Sequence, residues 1–235
     1  METRAARAAT VAVVAVTAMT GCHGGEKSAT PATASPHGGP QSGSASASPG
    51  HTARQLAGAL IEPPAGAVAV SRGSGPFETV TKKLSGGAPP VTGDLSCGGP
   101  GRTGINVVGS APSAFVSFAQ VGRSPSELLV AASGPAAEQA VTQPIPRACR
   151  TVKARAGGTT ITAKVISDQP LDIGDGGRIV QTDEVTGGTR LRSWQVLFTG
   201  SGYLGTTELV GTNVTRADAV RLARQAYRKA HAALE

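Results

Sequence analysis

An α+β fold is predicted for this sequence: a twisted antiparallel sheet with a C-terminal amphipathic helix, one or two short helices and one disulfide. Three observations lead there. From Ala148 onward the apolar residues recur with period two and are punctuated by glycines, as in half-buried antiparallel strands. Near the end, Ala219, Val220, Ala223, Ala226, Tyr227, Ala230 and Leu234 fall on one stripe of a helix, the spacing of an element laid on a sheet. Finally, Cys97 and Cys149 are left as an even pair once Cys22 is assigned to a different chemistry.

That chemistry is set by the N-terminus. Arg4 and Arg7 precede an uncharged stretch from Ala8 to Thr20, which has signal-peptide grammar and is too short for an ordinary transmembrane span. It closes with Met19-Thr20-Gly21-Cys22, a bacterial lipobox in which small residues enter the peptidase cleft and the cysteine thiol takes lipid. Residues 1–21 are therefore expected to be a lipoprotein signal peptide. Cys22 is the expected lipidation site, and the expected location is the outer face of the cell membrane. Residues 22–51 are Gly, Ser, Ala, Pro and Thr with almost no apolar bulk, a disordered tether. As a flexible coil it reaches roughly 30 Å. His23, His37 and His51 sit far apart along it, without metal-ligand spacing.

Residues 52–235 are long enough for one well-buried domain. Thr52 is placed to cap a helix with Leu56, Leu60 and Ile61 on its apolar face, stopped by Pro63-Pro64. A strand over Ala65–Ser71 and a loop over Arg72–Pro76 follow. Residues 85–104, around Cys97, are dense in Gly and Pro and read as irregular. Ile105–Ser110 and Ala114–Val121 read as short strands. Ser124-Pro125-Ser126-Glu127 resembles a helix start, with cap, proline and acid in order. Another helical turn or two is expected after Pro135, ending before Pro144-Ile145-Pro146.

The period-two region then yields a strand carrying Ile161, Ala163 and Val165, and three more at about 178–186, 189–199 and 202–210. Gly187-Gly188 and Gly200-Ser201-Gly202 make the reversals between them. Trp194, Val196 and Phe198 alternate with Ser193, Gln195 and Leu197, so Trp194 reads as a core filler. Thr215 caps the last helix with Asp218 at the third position. Arg221, Arg224, Arg228 and Lys229 fall mostly off its apolar stripe and give it a basic face.

The chemistry-bearing inventory is thin. An exported pair of cysteines argues for a Cys97–Cys149 disulfide closing a loop of about fifty residues. A cysteine nucleophile would have His231 as the only histidine in the folded part beyond His51. No Gly-x-Ser-x-Gly elbow or Ser-x-x-Lys pair occurs, and the glycine-rich run 98–104 lacks the Lys-Ser/Thr of a phosphate loop. No cofactor motif is present. Asp168, Asp172 and Asp175 surround Gly174, Gly176 and Gly177, a cluster open to two readings, a plain turn or a calcium site without the twelve-residue loop. The chain carries 22 Lys and Arg against 15 Asp and Glu but only 3% aromatic residues, so nucleic acid is not an expected partner. Abundant Ala, Gly and Arg suggest a high-GC genome such as an actinobacterium's.

The segment Asp172-Ile173-Gly174-Asp175-Gly176-Gly177, the Trp194 strand, the strand over 202–210 and the closing helix together resemble actinobacterial surface lipoproteins. They also resemble the extracellular sensor domain of some mycobacterial Ser/Thr kinases. The resemblance covers about ninety residues. It implies an α+β domain with a twisted antiparallel sheet that binds something outside the cell; the sensor domain usually has two disulfides where only one is available here. It supplies no ligand-binding residue. The expectation is thus a non-catalytic, membrane-tethered domain with an envelope ligand or protein partner. The alternatives are a wall-acting enzyme with an unrecognised acidic pair and a structural or accessory envelope protein.

Overall fold

The computed structural model describes residues 50–84, 91–93, 109–156 and 158–235. The expected signal peptide, Cys22 and nearly all of the tether, Cys97 and most of the expected strand over Ile105–Ser110 lie outside the described residues. In chain order the elements are α1 (Ala53–Ala59), β1 (Val68–Pro76), α2 (Phe77–Leu84), β2 (Val91–Gly93), β3 (Pro112–Ala119), β4 (Arg123–Ala131) and α3 (Pro135–Thr142). After a 3-10 turn at Arg147–Cys149 come β5 (Thr151–Ala156), β6 (Thr159–Pro170), β7 (Gly176–Thr186), β8 (Thr189–Gly200), β9 (Tyr203–Gly211) and α4 (Arg216–Leu234).

All nine strands form one antiparallel sheet in the order β1-β3-β4-β9-β8-β7-β6-β5-β2. Strands β5 to β9 are a meander joined by short reversals, as the alternation predicts. The non-local step is β4 against β9, where Arg123 pairs with Gly211 and Ala131 with Tyr203. It joins the N-terminal hairpin to the meander.

Helices α1 and α4 cover the first face of the sheet. Leu56, Leu60 and Ile61 meet Ala223, Ala226 and Ala230 of α4 over Phe118, Leu129, Val196, Phe198 and Tyr203, one continuous apolar cluster. Thr52 and Gln55 form the capping box of α1, and the Thr215 hydroxyl accepts from the Asp218 N–H at the start of α4. Both starts are where the sequence places them. Among the described residues, two helices cover parts of the second face, and a third buried cluster, Ala154, Ala156 and Ile161, lies on it at β5 and β6. Helix α2 packs Phe77 and Val80 on Phe115, Leu128 and Val130; α3 packs Ala140 and Val141 on Leu197 and Leu204.

Several expectations are corrected. Ser124-Pro125-Ser126-Glu127 lies inside β4 instead of starting a helix. Its Glu127 points into the first-face core, 1% exposed, where no capping acid could reach an N-terminus. Pro125 is tolerated because pairing with β3 begins only at Ser126, so one side of the strand needs no donor there. Arg72–Pro76, expected as a loop, is the second half of β1, opposite Val116 to Pro112. The ring of Phe115 lies over Gly73, where a Cβ would come 2.6 Å from ring carbon Cε1, so glycine marks a close approach there. Helix α2 has no counterpart in the sequence reading. The single expected disulfide, Cys97–Cys149, is not found among the described residues. Their one cysteine is Cys149; it is itself disulfide-bonded, and Cys97 lies outside them.

Candidate functional site

Alternation along the strands puts one row of side chains across the middle of the second face, where no described helix packs. Ser71 of β1 pairs with Ser117 of β3, Ser117 with Ser126 of β4, and Ser126 with Glu208 of β9. Glu208 in turn pairs with Gln195 of β8. Cross-strand partners share a face, with Cβ atoms about 4.5–5.5 Å apart, so three hydroxyls, a carboxyl and an amide form one polar ladder over five strands. Every one of these five residues is half-buried. In the next row towards the covered end, Thr206 is 8% exposed and its Oγ1 has no hydrogen-bond partner among the described residues. In the row on the other side, Ser124 and Ser193 flank Val210.

The carboxyl at the centre is electrostatically unusual. Burial pushes the pKa of Glu208 up to about 7, and the neighbouring carboxyl of Glu184 adds to the rise. Glu184 is raised by burial as well, against the hydrogen bond it accepts from Thr186. Near neutral pH Glu208 is therefore close to half protonated and able either to donate or to accept a hydrogen bond.

Two apolar shoulders bound the ladder. One is the Phe77, Phe115 and Leu128 cluster under α2; the other is Leu197 and Leu204 under α3. The arrangement sets hydrogen-bonding groups between apolar walls.

The residues singled out from the sequence go elsewhere. Asp168 is not free to bind a metal: both its oxygens engage Arg178, at 2.5 Å each, and Oδ2 also accepts from the Ile145 N–H at 2.8 Å. With side chains 1% and 4% exposed, this buried pair pins the segment after α3 to β6 and β7, and Arg178 also donates to the Gln143 carbonyl. Asp172 and Asp175 are exposed in the turn before β7. That turn needs Gly174, whose φ is 63° and whose Cβ would press on the Thr199 carbonyl and the Tyr227 ring. Among the described residues no group of three or more His, Cys, Asp or Glu is arranged to hold a metal.

His231 pairs with Glu235 at 2.6 Å and stacks on Tyr227. His51 bonds the Ser201 carbonyl at 2.8 Å, and His23 and His37 lie outside the described residues. Trp194 is 8% exposed in the first-face core, as its alternation suggests. The ladder itself escaped the sequence reading. Ser117, Ser126 and Glu208 carry no motif, and only the long-range register brings them together.

No protein-family model matches the chain, and no curated protein does. Among solved structures, the extracellular domain of PknH from Mycobacterium tuberculosis is similar in fold, with a TM-score of 0.55 at 10% identity. The match covers 78% of this chain and 98% of that one. A protein from Mycobacterium smegmatis matches at a TM-score of 0.38 and 12% identity, over 72% of this chain and 87% of that one. The fold resemblance to mycobacterial sensor-like domains expected from the sequence is therefore present.

Proposed function

We propose that this chain is a lipid-anchored extracytoplasmic domain that binds a ligand or protein partner across the ladder centred on Glu208, without catalysis. The observation that carries this reading is the polar row between two apolar shoulders, over which no described element packs. The fold likeness to an extracellular domain supports the compartment. So does the disulfide-bonded state of Cys149, which suits an oxidising environment.

The ladder suits a ligand rich in hydroxyl and amide groups. Serine hydroxyls and an amide both donate and accept, and a half-protonated carboxyl matches either polarity. Among the described residues no side-chain hydrogen bond occupies Ser71, Ser117, Ser126 or Glu208, so a ligand displaces no internal network there.

Two measurements test the reading. Fatty-acid labelling should mark the wild type and not Cys22→Ala; label on the variant removes the anchor. Soluble wall fragments, carrying sugar hydroxyls and peptide amides, should shift the backbone resonances of Ser117, Ser126, Gln195 and Glu208 together. Shifts confined to another surface would move the site.

A second reading has one observation behind it. Glu184 and Glu208 face the same side of the sheet, and the pKa of each is raised, as for the proton-donating member of a glycosidase pair. Release of reducing ends from purified wall polymer, lost in Glu208→Gln, would replace binding by hydrolysis.

A further inference from the structure

The outer surface of α4 is unlike any other described surface. Residues Arg216, Ala217, Val220, Arg221, Arg224 and Arg228 fall within an arc of roughly 140° at 3.6 residues per turn, opposite the alanines that meet the sheet. The four arginines are exposed. Arg221 is tied to Asp218, and Lys229, well outside the arc, is tied to Glu62 at 2.5 Å. Arg216, Arg224 and Arg228 make no ion pair among the described residues. Of the acids beside this helix, Asp218 is engaged by Arg221 and Arg123, Glu62 by Lys229 and Glu235 by His231, while Asp175 lies near Tyr227. From Arg216 to Arg228 the surface is therefore net positive, four arginines against Asp218.

The chain's own geometry brings this surface to a membrane. Residue 50 begins the described part beside the C-terminal end of α4: His51 bonds the Ser201 carbonyl, and the Ser201 N–H donates to Glu235, the last residue. The segment from Cys22 to this point has an r.m.s. reach of roughly 30 Å, and α4 is about 28 Å long. A domain leashed at one end of the helix by a tether of the helix's own length can lay that helix flat on the surface holding the leash.

We infer that the Arg216, Arg224 and Arg228 face of α4 docks on the anionic headgroups of the phospholipid bilayer to which the chain is anchored. This rests on the lipoprotein reading. The occupant is a lipid surface because the arginines run along the length of one exposed helix face, and because the tether ends beside that helix. Ala217 and Val220 between the arginines face the interfacial zone. Docked in this way, α4 lies between bilayer and sheet, and the polar ladder on the opposite face of the sheet looks away from the membrane, towards the wall.

The test uses the processed chain from residue 22 carrying Cys22→Ser, so that no lipid contributes. Sedimentation with phosphatidylglycerol/phosphatidylcholine vesicles should retain it, and pure phosphatidylcholine vesicles should not. Retention should fall steeply between about 0.05 and 0.5 M salt as the Debye length shrinks. At roughly fivefold per basic residue near an anionic surface, the triple variant Arg216→Glu, Arg224→Glu, Arg228→Glu should bind at least tenfold more weakly, and the triple Lys variant should stay near wild type. All three positions are exposed, and an unchanged melting temperature confirms that the variant is folded. Equal retention on neutral vesicles, an unaffected Glu variant, or binding to a soluble anionic wall polymer but not to vesicles would overturn the inference. Fatty-acid labelling of Cys22 reports on the anchor separately, so loss of either claim leaves the other measurable.

Discussion

The two faces of the sheet are made by the same strands and have opposite fates. On the first face, β8 presents Trp194, Val196 and Phe198 and β9 presents Tyr203 and Leu209, all buried beneath α1 and α4. On the second, the same strands present Gln195 and Glu208, half-buried and polar, flanked by apolar side chains such as Val180 and Val210 and by those beneath α2 and α3. Alternation lets one strand satisfy both demands, because successive side chains belong to different environments. The larger of the described cores is thereby concentrated on one side.

The largest effect should come from the first face. Phe198 is fully buried and meets Tyr227 edge-on at 5.9 Å between ring centres. Phe198→Ala should cost about 3–5 kcal/mol, read as a lower urea midpoint at unchanged slope. Ser126→Ala, on the second face, should stay within about 0.5 kcal/mol. Comparable losses at the two positions would break the contrast between the faces.

Next is the buried pair at the margin of the second face. Asp168→Ala leaves the Arg178 guanidinium, 4% exposed, without its counter-charge and should cost about 3–5 kcal/mol. Arg178→Met combined with Asp168→Leu should recover much of that in thermal unfolding. A mild effect of the single variant would show that the segment after α3 is held by something else.

The third prediction concerns pH. Burial pushes Glu127 up to about 7, against the Ile61 N–H it accepts at 2.7 Å and the more distant charges of Lys229 and Arg72. Because its folded pKa lies above its ordinary value of 4.5, the folded state holds the proton more tightly than the unfolded one. The stability it contributes is therefore complete below about pH 4.5 and is lost as pH rises through about 7. Glu127→Gln keeps the acceptor for Ile61 and cannot ionise. Its advantage over wild type should grow from pH 5 to pH 8, reaching roughly 3 kcal/mol. Parallel stability curves would show that Glu127 does not titrate in this range.

The smallest effect sharpens the description of the ladder. Carboxyl NMR should give Glu208 a midpoint near 7, and Glu184→Gln should lower it by less than about one unit, since burial is the larger cause. A larger drop would make the two carboxyls a coupled pair and favour the hydrolytic reading.

Legibility in the sequence followed the range of the interactions. The meander β5 to β9, its glycine reversals and the capped start of α4 were readable, because period two, Gly187-Gly188 and Thr215 act within a few residues of themselves. The Ser124–Glu127 segment was misread as a helix start because its local signal is genuinely that of a cap; pairing with β9, more than eighty residues away, overrode it. Helix α2 went unseen because Phe77 and Val80 are too few apolar positions to show a period. Asp168 was grouped with its sequence neighbours Asp172 and Asp175, whereas the folded chain gives it to Arg178.

The amino-acid sequence by itself thus settled which residues alternate, where the chain turns and that the last helix has an apolar and a basic side, since each is decided by backbone geometry over one or two turns. Tertiary structure alone decided that Ser71, Ser117, Ser126, Glu208 and Gln195 stand in one row. Strand register is chosen by how well the whole first-face core packs, and a slip of a single residue would have sent every member of that row to the opposite face.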